Sequence, residues 1–403
     1  MNIISCDYIV TFDEELQIVK NKSVAYEKQI VKIDSKDTLL KEYPDAKILE
    51  FGKNSVLLPG LINTHIHLEY IKNKNRLSYG EFIKWLSSVV KYREELVKLS
   101  SDEAIKEALF ALLKSGTTTI GEISSFGEDI EPCKNSPINV VLFNEILGSN
   151  PAAVDILYQD FLQRYYKCLS IKDERFIPAI SVHSPYSTHP ILAKKALKLA
   201  KDGDCIVSTH LLESKAERDW LEKANGGFKD FLEKFTPNPK PLTTIDEYIE
   251  LFSGIPTLFT HLTYATKEEI KKIDSEFFIT SCPVSNRLLE NKKLDLKDIR
   301  NLTIATDGLT SNISLNLWDE LRSALFIHDS IDADWLSKKL LTSVTKNAAN
   351  ALRLNKGVIK EGFDADMIVV DIEQDFDDIE TIYKWLILHT KEVEKTIILG
   401  EEV

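Results

Sequence analysis

The sequence predicts an α/β fold: a (β/α)8 barrel carrying a small β-sandwich module assembled from both chain ends. Three observations predict it. Strand-like and helix-like segments alternate through the middle of the chain, as in parallel α/β structures. Four short apolar runs end in threonine and a metal-competent side chain: Thr64-His65, Thr209-His210, Thr260-His261 and Thr306-Asp307. Such residues at the C-terminal ends of parallel strands point to an active site at a barrel mouth. The two termini instead alternate in period two, the pattern of short antiparallel strands.

Residues 1 to 58 supply the first part of the module, with Ile9-Val10-Thr11-Phe12 and Ser23-Val24-Ala25-Tyr26 as strands and charged breaks such as Asp13-Glu14-Glu15. Residues 355 to 403 supply the rest, with Asp364-Ala365-Asp366-Met367-Ile368-Val369-Val370 and Lys395-Thr396-Ile397-Ile398-Leu399 as strands and Gly362 and Gly400 as turn signals. The barrel occupies 59 to 354. Its eight expected strands are Leu57–Ile62 running on to His65, Thr117–Glu122, Asn139–Phe143, Phe176–Val182, Cys205–Val207, Pro256–Phe259, Phe277–Ser281 and Leu302–Ala305. Between them lie amphipathic helices. Asp102 to Leu113 starts after a plausible Ser101 cap and turns Ile105, Ala108, Leu109 and Leu112 to one face.

A chain of 403 residues has room for a large barrel and an appended module. The net charge of −13, from 63 acidic and 50 basic residues, excludes phosphate-backbone binding as the main activity, so no nucleic-acid partner is expected. The five cysteines are widely spaced, odd in number and free of any C-x-x-C pair, which fits a reducing cytoplasm rather than a disulfide or thiolate-zinc framework. Neither a secretory leader nor an apolar run of membrane-spanning length is read from the chain. A soluble cytoplasmic protein without a membrane partner is expected.

In a strand, alternate residues face the same side, so His65 and His67 place two imidazoles together inside the barrel. With His210 and Asp307 they make three nitrogens and one carboxylate, a set suited to Zn²⁺ or Fe²⁺ rather than Mg²⁺ or Ca²⁺. A divalent ion of this kind can lower the pKa of a bound water from 15.7 to about 7, which suggests hydrolysis. Glu213, three residues past His210, could shuttle protons in the same cavity. His261 could bond the nucleophilic water or serve as a ligand, and the first role is favoured.

The motifs Pro59-Gly60-Leu61-Ile62-Asn63-Thr64-His65-Ile66-His67, Gly116-Thr117-Thr118-Thr119, His183-Ser184-Pro185-Tyr186-Ser187, His210-Leu211-Leu212-Glu213, Cys282-Pro283-Val284-Ser285-Asn286 and Thr306-Asp307-Gly308 carry a resemblance spanning nearly the whole chain. The sequence resembles the amidohydrolase superfamily, in the branch with S-adenosylhomocysteine, methylthioadenosine and guanine deaminases and triazine hydrolases. The resemblance implies one divalent metal held by His65, His67, His210 and Asp307. It further implies Glu213 as proton shuttle, His261 at the nucleophilic water and Asp307 as acceptor of the water's proton. Two-metal members carry a lysine on the fourth strand, and Phe176 to His183 contains none. The P-C-x-x-C element of cytidine-type zinc deaminases is absent, since Pro132-Cys133 lacks the second cysteine.

For the substrate, a purine nucleoside, the resemblance implies contact with His183. Glu122 and Glu145, at the ends of strands two and three, could meet ribose hydroxyls. Asn286 and Arg287 are further candidates, with Arg287 placed to pair with a substrate carboxylate. The segment Glu69 to Lys98, including Lys72, Lys74, Arg76, Trp85 and Tyr92, is expected to shape the pocket. His189, His328, His389 and Cys282 are expected to be structural. The whole pattern resembles the aminodeoxyfutalosine deaminases of the futalosine route to menaquinone. Methylthioadenosine, S-adenosylhomocysteine or adenosine deamination ranks next, then guanine deamination or triazine hydrolysis. A non-catalytic assembly role ranks last, because every ligand and the acid are kept. Relatives are often dimers or larger, and a homodimer is the expected assembly.

Overall fold

The computed structural model describes all residues except 14–16, 73–75, 236–237 and 373–377. Glu14, Glu15 and Lys74 therefore lie outside the described residues. Eight parallel strands form one sheet in chain order: β1 (Leu61–Ile66), β2 (Thr117–Ser124), β3 (Asn139–Ile146), β4 (Phe176–Val182), β5 (Val207–Leu211), β6 (Thr257–His261), β7 (Phe278–Ser281) and β8 (Leu302–Ile304). Nearly every residue in them is buried, as expected of strands covered on both faces.

The seam between β8 and β1 brings the ends of the barrel together. Asn63 Nδ2 donates to Thr306 Oγ1 (2.7 Å), Thr64 and Thr303 share a hydroxyl bond (3.0 Å), and the Asp307 amide donates to the His65 carbonyl (3.0 Å). These contacts set Asp307 beside His65. Of the threonines that end the apolar runs, Thr64 and Thr306 thus tie the first and last strands together under the mouth, whereas the Thr209 hydroxyl bonds that of Tyr248 on a helix (2.7 Å).

Helices pack outside. The helix Asp102–Lys114 starts where expected, with Ser101 Oγ accepting from the Ala104 amide. Val141 and Phe143 of β3 face inward with Ile62, Ile123 and Ala179, whereas Val140 and Leu142 pack outward with Ile105 and Leu109.

Both chain ends build two further sheets, one in the order 30–34, 23–26, 2–5, 47–50 and the other 401–402, 395–398, 367–371, 55–59, 8–10, 18–20. Two details correct the expectation. The run from Leu57 to Ile62 is not one strand: Ser55–Pro59 pairs antiparallel with Met367–Asp371, and the chain enters the barrel only at Leu61. Gly60 makes the crossing, since a Cβ there would lie 2.2 Å from Thr118 Oγ1. The N-terminal strands are also not all antiparallel, because Asn2–Ser5 runs parallel to Lys47–Glu50 and Tyr8–Val10 parallel to Ser55–Pro59.

Candidate active site

At the C-terminal mouth, the Nε2 atoms of His67 and His210 each lie 3.2 Å from His65 Nε2. Asp307 Oδ1 is 3.4 Å from His67 Nε2 and 3.8 Å from His65 Nε2. Metal–nitrogen bonds of about 2.0–2.1 Å at a tetrahedral angle hold their nitrogens about 3.3–3.4 Å apart, so the spacing fits a divalent ion. His210 Nδ1 donates to the His183 carbonyl at 2.9 Å, which leaves the Nε2 lone pair facing the cluster. Burial, reinforced by the neighbouring imidazoles, pushes His65 and His210 well below the usual histidine range. They are neutral and competent as ligands.

The Asp307 carboxylate is held from three sides. Ser285 and Ser311 hydroxyls donate to Oδ2 (2.8 and 2.7 Å), and the Gly308 amide donates to Oδ1 (2.8 Å). Burial would raise its pKa, but the His67 imidazole, together with the hydrogen bond from Ser311, outweighs that and holds it ionised, below the usual carboxylate range. Asp307 and His261 both adopt left-handed backbone, with φ of 59° and 76°. Strain of this kind costs about 1–3 kcal/mol per residue and persists where surrounding contacts enforce it.

Glu213 stands opposite, with Oε1 3.5 Å from His261 Nε2. Burial, then the charges of Asp307, Glu217 and Glu290, pushes its carboxyl well above the usual range, so it holds a proton. The Glu213 amide donates to Glu217 Oε2 at 2.9 Å, which fixes the turn after β5. His261 Nδ1 donates to Asn286 Oδ1 at 2.9 Å, so its Nε2 is left as an acceptor facing Glu213.

These groups open into a cleft of about 200 Å³. His183 and Glu145 line its side, with His183 Nδ1 fixed by the Ser184 and Ser187 hydroxyls and Glu145 Oε2 accepting from Ser125 Oγ at 2.6 Å. Three expected substrate contacts are not in the cleft wall. Glu122 is turned outward, accepts from the Leu68 amide at 2.8 Å and shares a hydrogen bond with Asp129. It has the strand parity of Ile120, which packs beneath the helices, whereas Glu145 has that of inward-facing Val141 and Phe143. Asn286 sits behind His261. Arg287, the next residue on the helix Pro283–Glu290, is exposed on the outer face.

The Glu69 to Lys98 segment does shape the cleft, through Tyr70, Trp85, Leu86, Val89, Val90 and Arg93. Arg93 was missed in the sequence; its position eight residues after Trp85, on the same helical stripe, was the available signal. Lys72 instead pairs with Glu107, and Arg76 with Glu95 beside Tyr92. His189 caps the helix Pro190–Asp202, His328 packs between two carbonyls, and His389 stacks on Trp385. Burial raises the Cys282 thiol well above its usual range, which leaves it inert.

Comparison with known proteins supplies independent findings. The family model described as the amidohydrolase family matches residues 56–403. The chain is 44% identical over 388 residues to the aminodeoxyfutalosine deaminase of Nitratiruptor sp., covering 96% of each chain. It is 35% identical to the adenosine deaminase of Helicobacter pylori, covering 100% of this chain and 99% of that one. Among solved structures, H. pylori aminofutalosine deaminase in complex with methylthio-coformycin superposes with a TM-score of 0.95 at 36% identity, covering 100% of both chains.

Proposed function

The chain belongs to the amidohydrolase family, and on that premise we propose a metal-dependent hydrolytic deaminase of 6-aminopurine nucleosides, with 6-amino-6-deoxyfutalosine as the substrate converted to futalosine and ammonia. The observation that carries the reading is the pairing of three converging imidazole nitrogens and ionised Asp307 with protonated Glu213 across one cleft. The relatives named above supply the substrate. We further propose that the protein acts in the cytoplasm, in menaquinone synthesis.

His65, His67, His210 and Asp307 would hold one Zn²⁺ or Fe²⁺. Bound there, the ion would lower the pKa of water and make it a nucleophile at neutral pH. The protein's own groups do the rest. The ring carbon bearing the amino group, C6, takes the water oxygen while Glu213 gives its proton to the adjacent ring nitrogen N1. Asp307 accepts one proton from the water and passes it to the amine, the C6–N bond breaks as ammonia leaves, and the remaining hydroxyl proton passes to the ionised Glu213 as the C6 carbonyl forms, restoring the acid. Neutral His261, oriented by Asn286, accepts a hydrogen bond from the water through Nε2 and gains stabilising charge as the proton is shared. We propose that His183 and Glu145, which line the side of the cleft, meet the nucleoside, His183 at the heterocycle or ribose and Glu145 at the ribose hydroxyls.

The test is ultraviolet conversion of adenine to hypoxanthine, with aminodeoxyfutalosine, methylthioadenosine, S-adenosylhomocysteine and adenosine as matched substrates. A far higher kcat/KM for aminodeoxyfutalosine is expected, lost on chelation and restored by Zn²⁺ or Fe²⁺. Comparable rates on all four would favour a general adenosine-type deaminase, the reading to which the H. pylori adenosine deaminase lends weight. A homodimer is proposed as the working assembly; exposed Ile156, Tyr166 and Ile191 on the neighbouring helices Val154–Ser170 and Pro190–Asp202 support it, and light scattering tests it.

A further inference from the structure

The cleft has two chemically different ends. The helix Phe82–Leu99 lies across it, anchored near the metal-competent cluster by Trp85 Nε1 donating to the Thr310 carbonyl at 2.8 Å. Trp85, Val89 and Arg93 follow one another at intervals of four residues, so they form one stripe along the cleft. About 12 Å of helix separates Trp85 from Arg93. The guanidinium therefore stands at the outer end, away from the imidazoles.

That outer end is aromatic. Arg93 lies 4.6 Å above the Phe126 ring and reaches the Tyr70 hydroxyl, and Tyr70 meets Phe126 edge to face at 6.1 Å. Phe126 is held firmly: Glu69 accepts from the amides of Ser125, Phe126, Gly127 and Glu128 at 2.7 to 3.2 Å. Arg93 is a cleft-lining cation that makes no ion pair with a carboxylate among the described residues. A rigid ring wall with a planar, bidentate cation at its end that no described carboxylate pairs with matches an aromatic carboxylate.

Building on the proposed deamination, we infer that Tyr70, Phe126 and Arg93 form the subsite for the carboxyphenyl end of the substrate, with Arg93 as the residue that selects it over nucleosides lacking that charge. Arg287, on the outer face, has no part in this selection.

The test is the ratio of kcat/KM for aminodeoxyfutalosine to that for methylthioadenosine, which has no carboxylate. R93M should lower the ratio about 10- to 100-fold, the usual range for a lost hydrogen bond to a charged group. R93E should lower it further, and R287M should leave it as in the parent. A measurable ratio requires folded, active enzyme, so misfolding cannot imitate the result. If the parent enzyme prefers aminodeoxyfutalosine and both Arg93 variants keep that preference, the Arg93 assignment is wrong and the substrate reading stands. If the parent shows no preference, the substrate reading fails and takes the subsite with it. A fall for R287M equal to that for R93M would also overturn the assignment.

Discussion

Glu213 holds its proton because burial and three neighbouring carboxylates oppose its ionisation. Glu213→Gln keeps the shape and removes the transferable proton. It should lower kcat by about 10²- to 10⁴-fold while leaving metal content unchanged, as steady-state kinetics and metal analysis would show. Asn286 acts at one remove, through the His261 ring. Asn286→Ala frees the imidazole to rotate or change tautomer, and kcat should fall about tenfold with little change in KM, in keeping with the loss of one buried hydrogen bond. At this scale, the sequence revealed groups whose direction follows from strand parity or from a short motif, such as His65, His67 and Glu213. It misled where a side chain's direction depended on neighbouring elements. Glu122 could have been excluded by its parity with Ile120, but Arg287 points away only because Ser285 and Asn286 occupy the inner face of their helix. Arg93 gained its role from the packing of a whole helix across the mouth, which no local motif encodes.

Between β5 and the helix Lys215–Lys223, the turn that carries Glu213 is clasped by a second buried carboxyl, Glu217. Burial raises the pKa of Glu217 to about 7, against hydrogen bonds from the amides of Glu213, Leu212 and Ser214 that pull it down. The unfolded chain releases this proton near 4.5, so between 4.5 and about 7 the folded state binds more protons. Stability therefore falls as pH rises through that window, by on the order of 3 kcal/mol in all. Glu217→Gln removes the titration. Thermal unfolding at pH 5 and pH 7.5 should show a smaller loss of Tm in the variant than in the parent, and equal losses would refute the account. Elements of this kind were largely legible: the strand and helix alternation predicted the barrel, and Ser101 marked a helix start. The break at Gly60 was not, because the apolar run on both sides is continuous, and the close approach of the Thr118 side chain, which leaves no room for a Cβ at residue 60, comes from tertiary packing that the local pattern does not encode.

Across the whole molecule, the base of the barrel and the terminal module meet at Asp366. Its Oδ2 accepts from Asn139 Nδ2, at the start of β3, and from Lys356 Nζ, at 2.6 and 2.7 Å; its Oδ1 accepts from the Leu399 amide, and its carbonyl from the Gly60 amide. Lys356 and Asp366 are almost fully buried, at 4% and 1% side-chain exposure. We propose that the module (1–58 and 355–403) and the barrel (59–354) unfold together because of this node. Removing one partner strands the other's charge: Asp366→Ala should cost about 3–5 kcal/mol, whereas replacing both Lys356 and Asp366 by apolar residues of similar size should recover most of the loss. The catalytic mouth lies at the opposite end of β3, about 20 Å away along the strand. The variant should consequently keep the parent kcat/KM while its urea midpoint falls, with a single transition retained. Two separated transitions in the parent protein would show instead that the module and barrel are independent, and a parallel loss of kcat/KM in Asp366→Ala would show that the base of the barrel also sets the geometry of its mouth.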